Sequence, residues 1–254
     1  MHSNDKTQPV CFLELDPNLP LLRRGATEFT GTLLLVLVLM GTKLNALQVP
    51  AASRDTAGFM GAVAAGSALA GLILALGTVS GGHFNPLITI LQWISRLRDA
   101  KCAVAYVVAQ LVGGVSGAFL AIMAFGKVRE SGGTGSSGHG WMIAELLSSA
   151  GLMVVVFGCM KSGRREFGPL GVGAWLTGSS IGLPATFANP ALALGTKFAL
   201  GTGALTWQAV GVAMLMEIGG AFLAAAVLGL IFPKELTVAR PMWRASKVEN
   251  TAAS

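Results

Sequence analysis

Two Asn-Pro pairs are the residues of this chain whose types and spacing could do chemistry. Asn85-Pro86 lies within SGGHFNPLITI, and Asn189-Pro190 lies within ATFANPALALG. Asn is a preferred N-cap and Pro fits the first helical turn, so each pair predicts the start of a helix. The first turn of a helix leaves backbone N–H groups unpaired, and these need acceptors that protein or a polar solute can supply.

Each pair lies within a long stretch that has no Asp, Glu, Lys or Arg, at 56–95 and 167–196. The chain of 254 residues is 53% hydrophobic and 12% charged, whereas soluble domains carry about 25% charged residues. This composition predicts an integral membrane protein. Lipid cannot pair the N–H groups of a helix start, so both breaks must be buried in protein or line a wet cavity. Two matched breaks suggest one shared cavity.

The apolar runs predict an all-α integral membrane protein with six transmembrane helices and two re-entrant half-helices. A helix needs about 20 mostly apolar residues to cross the hydrocarbon. The runs expected to span lie at about 26–46, 57–78, 103–125, 141–160, 168–183 and 207–232. The segments after the Asn-Pro pairs, about 86–94 and 190–198, are too short to span and are expected to return to the face they came from.

The predicted organisation is one membrane domain over 23–232, built from halves at about 23–126 and 141–232. The N-terminal tail, 1–22, contains no apolar core of signal-peptide length, and a basic tail, 233–254, closes the chain. Thirteen Lys and Arg residues lie on one predicted face and five on the other. The positive-inside rule therefore predicts cytoplasmic N- and C-termini, and the plasma membrane is the expected location.

Composition and spacing also exclude several kinds of site. The net charge is +6, but the basic residues lie in short segments between apolar runs. They form no continuous patch, which excludes nucleic acid as a partner. The three cysteines, at 11, 102 and 159, have neither the spacing of a metal site nor that of a disulfide framework. No metal and no cofactor are therefore predicted.

The two halves repeat the same polar positions. Glu28 opens the first span and Glu145 opens the fourth. Gln110 and Glu217 follow the first and second Asn-Pro pair by 25 and 28 residues. Three spans in each half is an odd number, so the second half must run inverted. Inverted repeats with broken helices place a polar site near the bilayer midplane.

These motifs resemble the major intrinsic protein family, the aquaporins and aquaglyceroporins. SGGHFNPLIT resembles the family's SGxHxNPAVT loop, YVVAQLVGGVSGA resembles its YxxAQxxGA helix, and the second loop has NPA at 189–191. The match covers about 24–232. It implies an aquaporin-like hourglass, in which 23–232 is a channel domain, assembled as a homotetramer in the lipid bilayer with one pore in each subunit.

The residues and the resemblance agree on how such a pore works. The half-helices meet by their N-termini, each with roughly half a positive charge, and together oppose cations. Asn85 and Asn189 are expected to turn side-chain N–H groups toward the lumen, where water or a hydroxylated solute accepts them; a plain N-cap is the alternative for each. Backbone carbonyls of 81–84 and 185–188 would line the rest. The predicted constriction consists of Asn85, Pro86, Leu87, Asn189, Pro190 and Ala191.

Other polar residues are expected to support this pore. Charges within a membrane are costly and usually functional. By resemblance, Glu28 and Glu145 hydrogen-bond the re-entrant loops from behind; the alternative is a Glu that reaches out to the interface. Gln110 and Glu217 could instead be contacts between helices. His83 resembles the loop histidine near the cytoplasmic pore mouth, and either lines the pore or is a structural histidine.

The chain departs from the family at both motifs. Leu87 replaces the usual Ala after the first Asn-Pro, and is expected to narrow or dry the centre. Leu192 replaces the Arg that forms one wall of the outer selectivity filter. Counting without gaps from the two Asn residues places the other filter positions at Ala65, Thr177 and Thr186. This set has neither an aromatic ring nor a charge, which predicts a wide filter.

The expected function is a passive channel for water and small uncharged solutes. Glycerol, urea, ammonia, hydrogen peroxide and metalloid hydroxides are the candidates, and no enzyme is expected because no step needs covalent chemistry. One alternative is an inverted-repeat secondary transporter, although the broken segments have no Asp, Lys or Arg to couple an ion. The other is a structural or regulatory membrane protein whose pore is closed or slow, for which Leu87 and Leu192 argue.

Overall fold

The computed structural model describes residues 13–126, 139–184, 187–199 and 205–232. In these ranges the regular structure is entirely helical, as predicted. The helices are α1 (Leu21–Gln48), α2 (Arg54–Ser80), α3 (Pro86–Ile94), α4 (Ala100–Phe125), α5 (Gly140–Lys161), α6 (Gly168–Gly182), α7 (Pro190–Ala199) and α8 (Trp207–Ile231). Short 3₁₀ turns precede α2 and α6, at Ala51–Ser53 and Arg165–Phe167.

Five of the described helices, α1, α2, α4, α5 and α8, are long and apolar enough to cross a membrane. Their mean hydropathy over the best 18 residues is 1.6 to 2.1. The sixth predicted span is α6, which has 15 residues and is therefore about 22 Å long at 1.5 Å per residue. The half-helices α3 and α7 have 9 and 10 residues. The predicted architecture of six spans and two half-helices is confirmed, with α6 as its shortest span.

The eight helices form two groups of four that pack in the same way. In the first group α1 packs on α2 and α4, and α3 packs on α4. In the second group α5 packs on α6 and α8, and α7 packs on α8. The groups join where α2 meets α6, and each half-helix also lies against the other group, α7 on α4 and α3 on α8. Because each half-helix packs against the other group, the two half-helices are held next to each other at the centre.

Glycines let the long helices approach at backbone distance. A Cβ atom at Gly113 of α4 would lie 2.5 Å from the carbonyl oxygen of Phe29 in α1. A Cβ at Gly117, one turn later, would overlap the carbonyl of Leu33. Small residues at such positions are how helices pack closely in lipid. This contact fixes α1 on α4, and so places Glu28 behind the first re-entrant loop.

The segment before α1 packs onto the membrane domain. Glu14 is buried, and its carboxylate pairs with Arg98, which follows α3, and lies 3.8 Å from Arg24 of α1. The Leu15 N–H donates to the carbonyl of Thr78 at 3.1 Å. Packing thus begins ahead of residue 23, where the sequence placed the start of the membrane domain. The rest of the predicted tails, 1–12 and 233–254, lies outside the described residues.

Candidate functional site

Asn85 and Asn189 cap the two half-helices. The Oδ1 of Asn85 accepts from the Leu87 N–H at 2.9 Å, and the Oδ1 of Asn189 accepts from the Ala191 N–H at 3.0 Å. Pro86 and Pro190 are the first residues of α3 and α7. The N-cap role is therefore real for both Asn residues, and it leaves each side-chain NH₂ group available for a second task.

Each Asn also bridges to the opposite loop. Asn85 Nδ2 donates to the carbonyl of Ala188 at 2.8 Å, and Asn189 Nδ2 donates to the carbonyl of Phe84 at 2.9 Å. Both acceptor residues have matching left-handed backbones, with φ of 48° and 47°. An Asn amide carries two N–H donors, so one on each side remains for a solute after the bridge is made.

Glu28 holds the first re-entrant loop from behind. One carboxylate oxygen accepts from the Ser80 hydroxyl at 2.6 Å and the His83 N–H at 3.0 Å. The other accepts from the Phe84 N–H at 2.7 Å and from Gln110 Nε2 at 2.8 Å. Glu28 is fully buried, so these four donors compensate its lost hydration. The side chain points into the protein and not toward an interface.

Two carboxylates hold the second loop. Glu145 accepts from the N–H groups of Phe187 at 2.8 Å and Ala188 at 3.0 Å. Glu217 of α8 accepts from the Asn189 N–H at 2.8 Å, and its Oε2 has no hydrogen-bond partner among the described residues. Gln110 therefore contacts Glu28, which holds the first loop, and Glu217 contacts the second loop directly. The alternative that both make only contacts between helices does not apply.

His83 is buried beside the first loop. Its Nδ1 lies 2.8 Å from the Thr89 hydroxyl, and its ring meets Tyr106 edge-on with centroids 5.3 Å apart. Its Nε2 has no partner in the part of the chain that is described. The side chain lies outside both of the cavities described next. These contacts are those of a structural histidine. Because Nε2 could still bind a solute, the role of His83 at the pore mouth stays a prediction.

A vestibule opens where α1 ends and α2 begins. It has a volume of about 220 Å³ and is lined by α1, α2, α6 and Leu192 of α7. Beyond it lies a smaller space, the Asn-pair cavity, which reaches Asn85 and Asn189 and has a volume of about 20 Å³. A cavity of that size holds about one water molecule. The two spaces share part of their lining, and the smaller one reaches the half-helix junction.

Three leucines line both spaces and so lie where the two spaces meet. They are Leu39 of α1, Leu176 of α6 and Leu192 of α7. We call them the leucine ring. Leucine side chains supply no hydrogen bonds, so the lining that the two spaces share is apolar. Leu87, by contrast, is buried and lines neither space, so its side chain packs in the core beside the half-helix junction.

The structure places the predicted filter residues in different surroundings. Ala65 and Leu192 line the vestibule as expected, but Thr177 lines neither space. Its hydroxyl lies 3.4 Å from the carbonyl of Ala62, against Gly66 of α2. Leu176 takes the lumenal place instead. Thr186 lies outside the described residues.

A sequence signal for this difference existed. Gly173 and Thr177 are four residues apart and therefore share one helix face. A Cβ at Gly173 would lie 2.5 Å from the carbonyl of Gly66, so that face packs tightly on α2. Counting residues without gaps does not take this packing face into account, and it therefore assigns Thr177 to the lumen where the structure has Leu176.

Several residues that line the two spaces were not predicted, including a lysine and two aromatic residues. Lys43 lines the vestibule, while Ser148, Trp175 and Phe187 line the Asn-pair cavity. The Ser148 hydroxyl has no partner among the described residues and is the polar group that a passing solute could use. The path therefore contains aromatic rings and one cation, whereas the predicted filter had neither.

Comparison with known proteins agrees with this geometry. Residues 17–228 match the family described as "Major intrinsic protein". The chain is 30% identical over 234 residues to Aquaporin Z of Brucella melitensis, covering 85% of this chain and 98% of that protein. It is 33% identical over 188 residues to the aquaglyceroporin AqpS of Rhizobium meliloti, covering 70% and 76%.

A solved structure has the same fold. The aquaglyceroporin from Plasmodium falciparum superposes with a TM-score of 0.68 at 19% identity, covering 84% of this chain and 97% of that one. The family match spans both re-entrant loops and all six membrane helices up to residue 228 of α8. This chain belongs to the major intrinsic protein family.

Proposed function

We propose that this multi-pass membrane channel conducts water and small uncharged solutes along the path from the vestibule, through the leucine ring, to the Asn pair. The observation that carries the proposal is the half-helix junction. There, Asn85 and Asn189 each use one amide hydrogen for the opposite loop and keep one for the lumen. The Asn-pair cavity has room for about one molecule of water at a time.

The junction favours neutral solutes. Two helix N-termini face one another there, and each contributes roughly half a positive charge. A cation at that point is repelled, while the oxygen of water or of a hydroxylated solute accepts from the free Asn hydrogens. A water molecule that accepts from these hydrogens turns its oxygen toward them and so reorients as it passes. That reorientation interrupts a chain of proton-conducting waters.

The leucine ring sets the selectivity among neutral solutes. Leu39, Leu176 and Leu192 offer nothing to replace the hydrogen bonds that a solute leaves in water, so the cost of crossing grows with the number of polar groups. Ammonia and hydrogen peroxide should therefore pass faster than urea, glycerol or metalloid hydroxides. The wide filter was expected because the set Ala65, Thr177, Thr186 and Leu192 has neither an aromatic ring nor a charge. We propose instead that the leucine ring limits the larger solutes.

A solute panel in proteoliposomes tests the proposal. Stopped-flow light scattering should show water flux above that of empty liposomes, without saturation and with a low activation energy. Leu192→Arg adds a cation to the leucine ring and should reduce glycerol and urea flux at least about tenfold, since a charged, longer side chain fills the constriction. Leu192→Met, of similar volume and uncharged, is the matched control.

A closed or slow pore is the second candidate. The observation in its favour is the apolar ring combined with a cavity of only about 20 Å³. Apolar constrictions can close a pore by excluding water. The same panel separates the two functions: rates equal to those of empty liposomes for every solute support the closed pore. Saturating flux would instead indicate a carrier.

We also propose a homotetramer with cytoplasmic termini in the cell membrane. The family resemblance supports the tetramer, and the excess of Lys and Arg on one predicted face supports the orientation. Mass measurement of the detergent-solubilised protein tests the first. Protease access to a tag at either terminus, in sealed inside-out vesicles, tests the second.

A further inference from the structure

Lys43 is a membrane-domain cation that faces the solute path. It lies within α1, near the end of the predicted span 26–46 and one turn beyond Leu39 of the leucine ring. It lines the vestibule together with Ala65, Leu176 and Leu192. A lysine at this depth is costly unless it serves a function or is paired.

The ammonium of Lys43 is directed inward. Its Nζ lies 4.5 Å from the centroid of the Phe187 ring, a cation–π distance. Phe187 is only 8% exposed and is held in the second re-entrant loop by the bond from its N–H to Glu145. A lysine that simply reached for the lipid headgroups would point toward the helix end. This one instead reaches the loop that forms the Asn pair.

The charge of Lys43 is not cancelled by a direct ion pair. In the part of the chain described, ion pairs join Glu14 to Arg24 and Arg98, and none includes Lys43. Glu145 attracts Lys43 from a greater distance, and its two oxygens are already engaged by the loop N–H groups. The vestibule is therefore expected to carry a net positive potential just above the leucine ring.

We infer that Lys43 is a specificity-determining residue which supplies, from α1, the fixed positive charge that the pore lacks at Leu192. It repels cationic solutes such as ammonium at the vestibule and draws anionic groups toward it, so that neutral solutes cross without competition from cations. The inference rests on the proposed path through the vestibule. It adds a second barrier to cations, ahead of the half-helix N-termini.

Charge-selective thiol labelling tests this inference without depending on solute flux. Ser180 is exposed and lines the vestibule, and Ser180→Cys is nearly isosteric. The labelling rates of the full-length protein with an anionic and a cationic methanethiosulfonate reagent, corrected for the parent's own cysteines, give a ratio. Lys43→Met should lower the anionic-to-cationic ratio about tenfold at low salt, and Lys43→Arg should preserve it.

Gln208→Cys is the matched control. It is exposed at the start of α8 and lines neither the vestibule nor the Asn-pair cavity, so its ratio should not change with Lys43→Met. An unchanged ratio at Ser180→Cys would overturn the inference, as would failure of both reagents to label it. If the unmodified protein showed no water flux but the labelling ratio changed as expected, the proposed function would be contradicted and the inference about Lys43 would stand. Elution of each variant as one sharp peak in detergent shows that it is folded.

Discussion

The two re-entrant loops have the same backbone conformation before their Asn residues but differ in the residues that surround them. Phe84 and Ala188 have the same left-handed φ, and each carbonyl accepts from the Asn of the other loop. The first loop is held by Glu28, whose two oxygens accept four hydrogen bonds. The second is held by Glu145, whose oxygens accept two, and by Glu217, which accepts one from the Asn189 N–H.

The residues that lie behind the two loops also differ. Behind the first loop, Arg98 and Tyr106 both donate to the carbonyl of Ser80, and Arg98 also pairs with Glu14. Beside the second loop lie the leucine ring and a single lysine, Lys43, over an aromatic ring. The first loop is thus packed against a buried network of Glu14, Arg98 and Tyr106, whereas the second lies beside the vestibule and the Asn-pair cavity.

The largest expected effect contrasts the two supporting carboxylates. Glu28→Gln replaces an oxygen that accepts two hydrogen bonds, and Glu145→Gln replaces one that accepts a single bond. Each buried donor left unpaired costs about 1–3 kcal/mol. We therefore expect a loss of stability of about 2–6 kcal/mol for Glu28→Gln and about 1–3 kcal/mol for Glu145→Gln. Thermal unfolding in detergent measures both, and equal losses would remove the contrast between the loops.

The next effect marks where the two loops are equivalent. Asn85→Ala and Asn189→Ala each remove an N-cap, worth about 1 kcal/mol, and leave one buried carbonyl without its donor. The losses in stability should agree within about 1 kcal/mol, and water flux should fall in both. Unfolding and light scattering on the two variants check this. A variant that kept full flux would show that its Asn does not contact the solute.

The smallest effect concerns Thr177. Thr177→Val keeps the shape of the side chain and removes a long hydrogen bond to Ala62, which the structure places at the contact between α6 and α2. Stability should change by less than about 1 kcal/mol, and the solute panel should be unaffected. Altered solute selectivity in this variant would show that Thr177 contributes to the filter.

The fold could be predicted from the sequence almost completely. The half-helix α3 has the predicted bounds, 86–94, and α7 extends one residue beyond the predicted 190–198. Asn-Pro inside an apolar run determines both, because capping and proline geometry are local properties. The long spans follow from hydropathy, which is also summed locally.

The lining of the path could be predicted only in part. Which residue of α6 faces the lumen depends on how α6 rotates against α2, and a one-residue error exchanges Leu176 for Thr177. The direction of the Lys43 side chain could not be predicted, because a charge near the end of an apolar run usually reaches out to the interface. Its inward direction depends on Phe187, which is 144 residues away in the chain. Such contacts arise from tertiary packing, and the spacing of Gly173 and Thr177 is a local sign only of the orientation of α6.

Leu176→Ala tests the leucine ring, the central claim of this account, most directly. The ratio of glycerol to ammonia flux in proteoliposomes should rise at least about tenfold over wild type, because removing three carbons widens an apolar constriction and lowers the cost for larger solutes. Leu215→Ala is the matched control, since Leu215 is 64% exposed on α8 and lines neither the vestibule nor the Asn-pair cavity. A ratio that stayed at the wild-type value in Leu176→Ala, with water flux intact, would contradict the leucine ring as the selectivity filter.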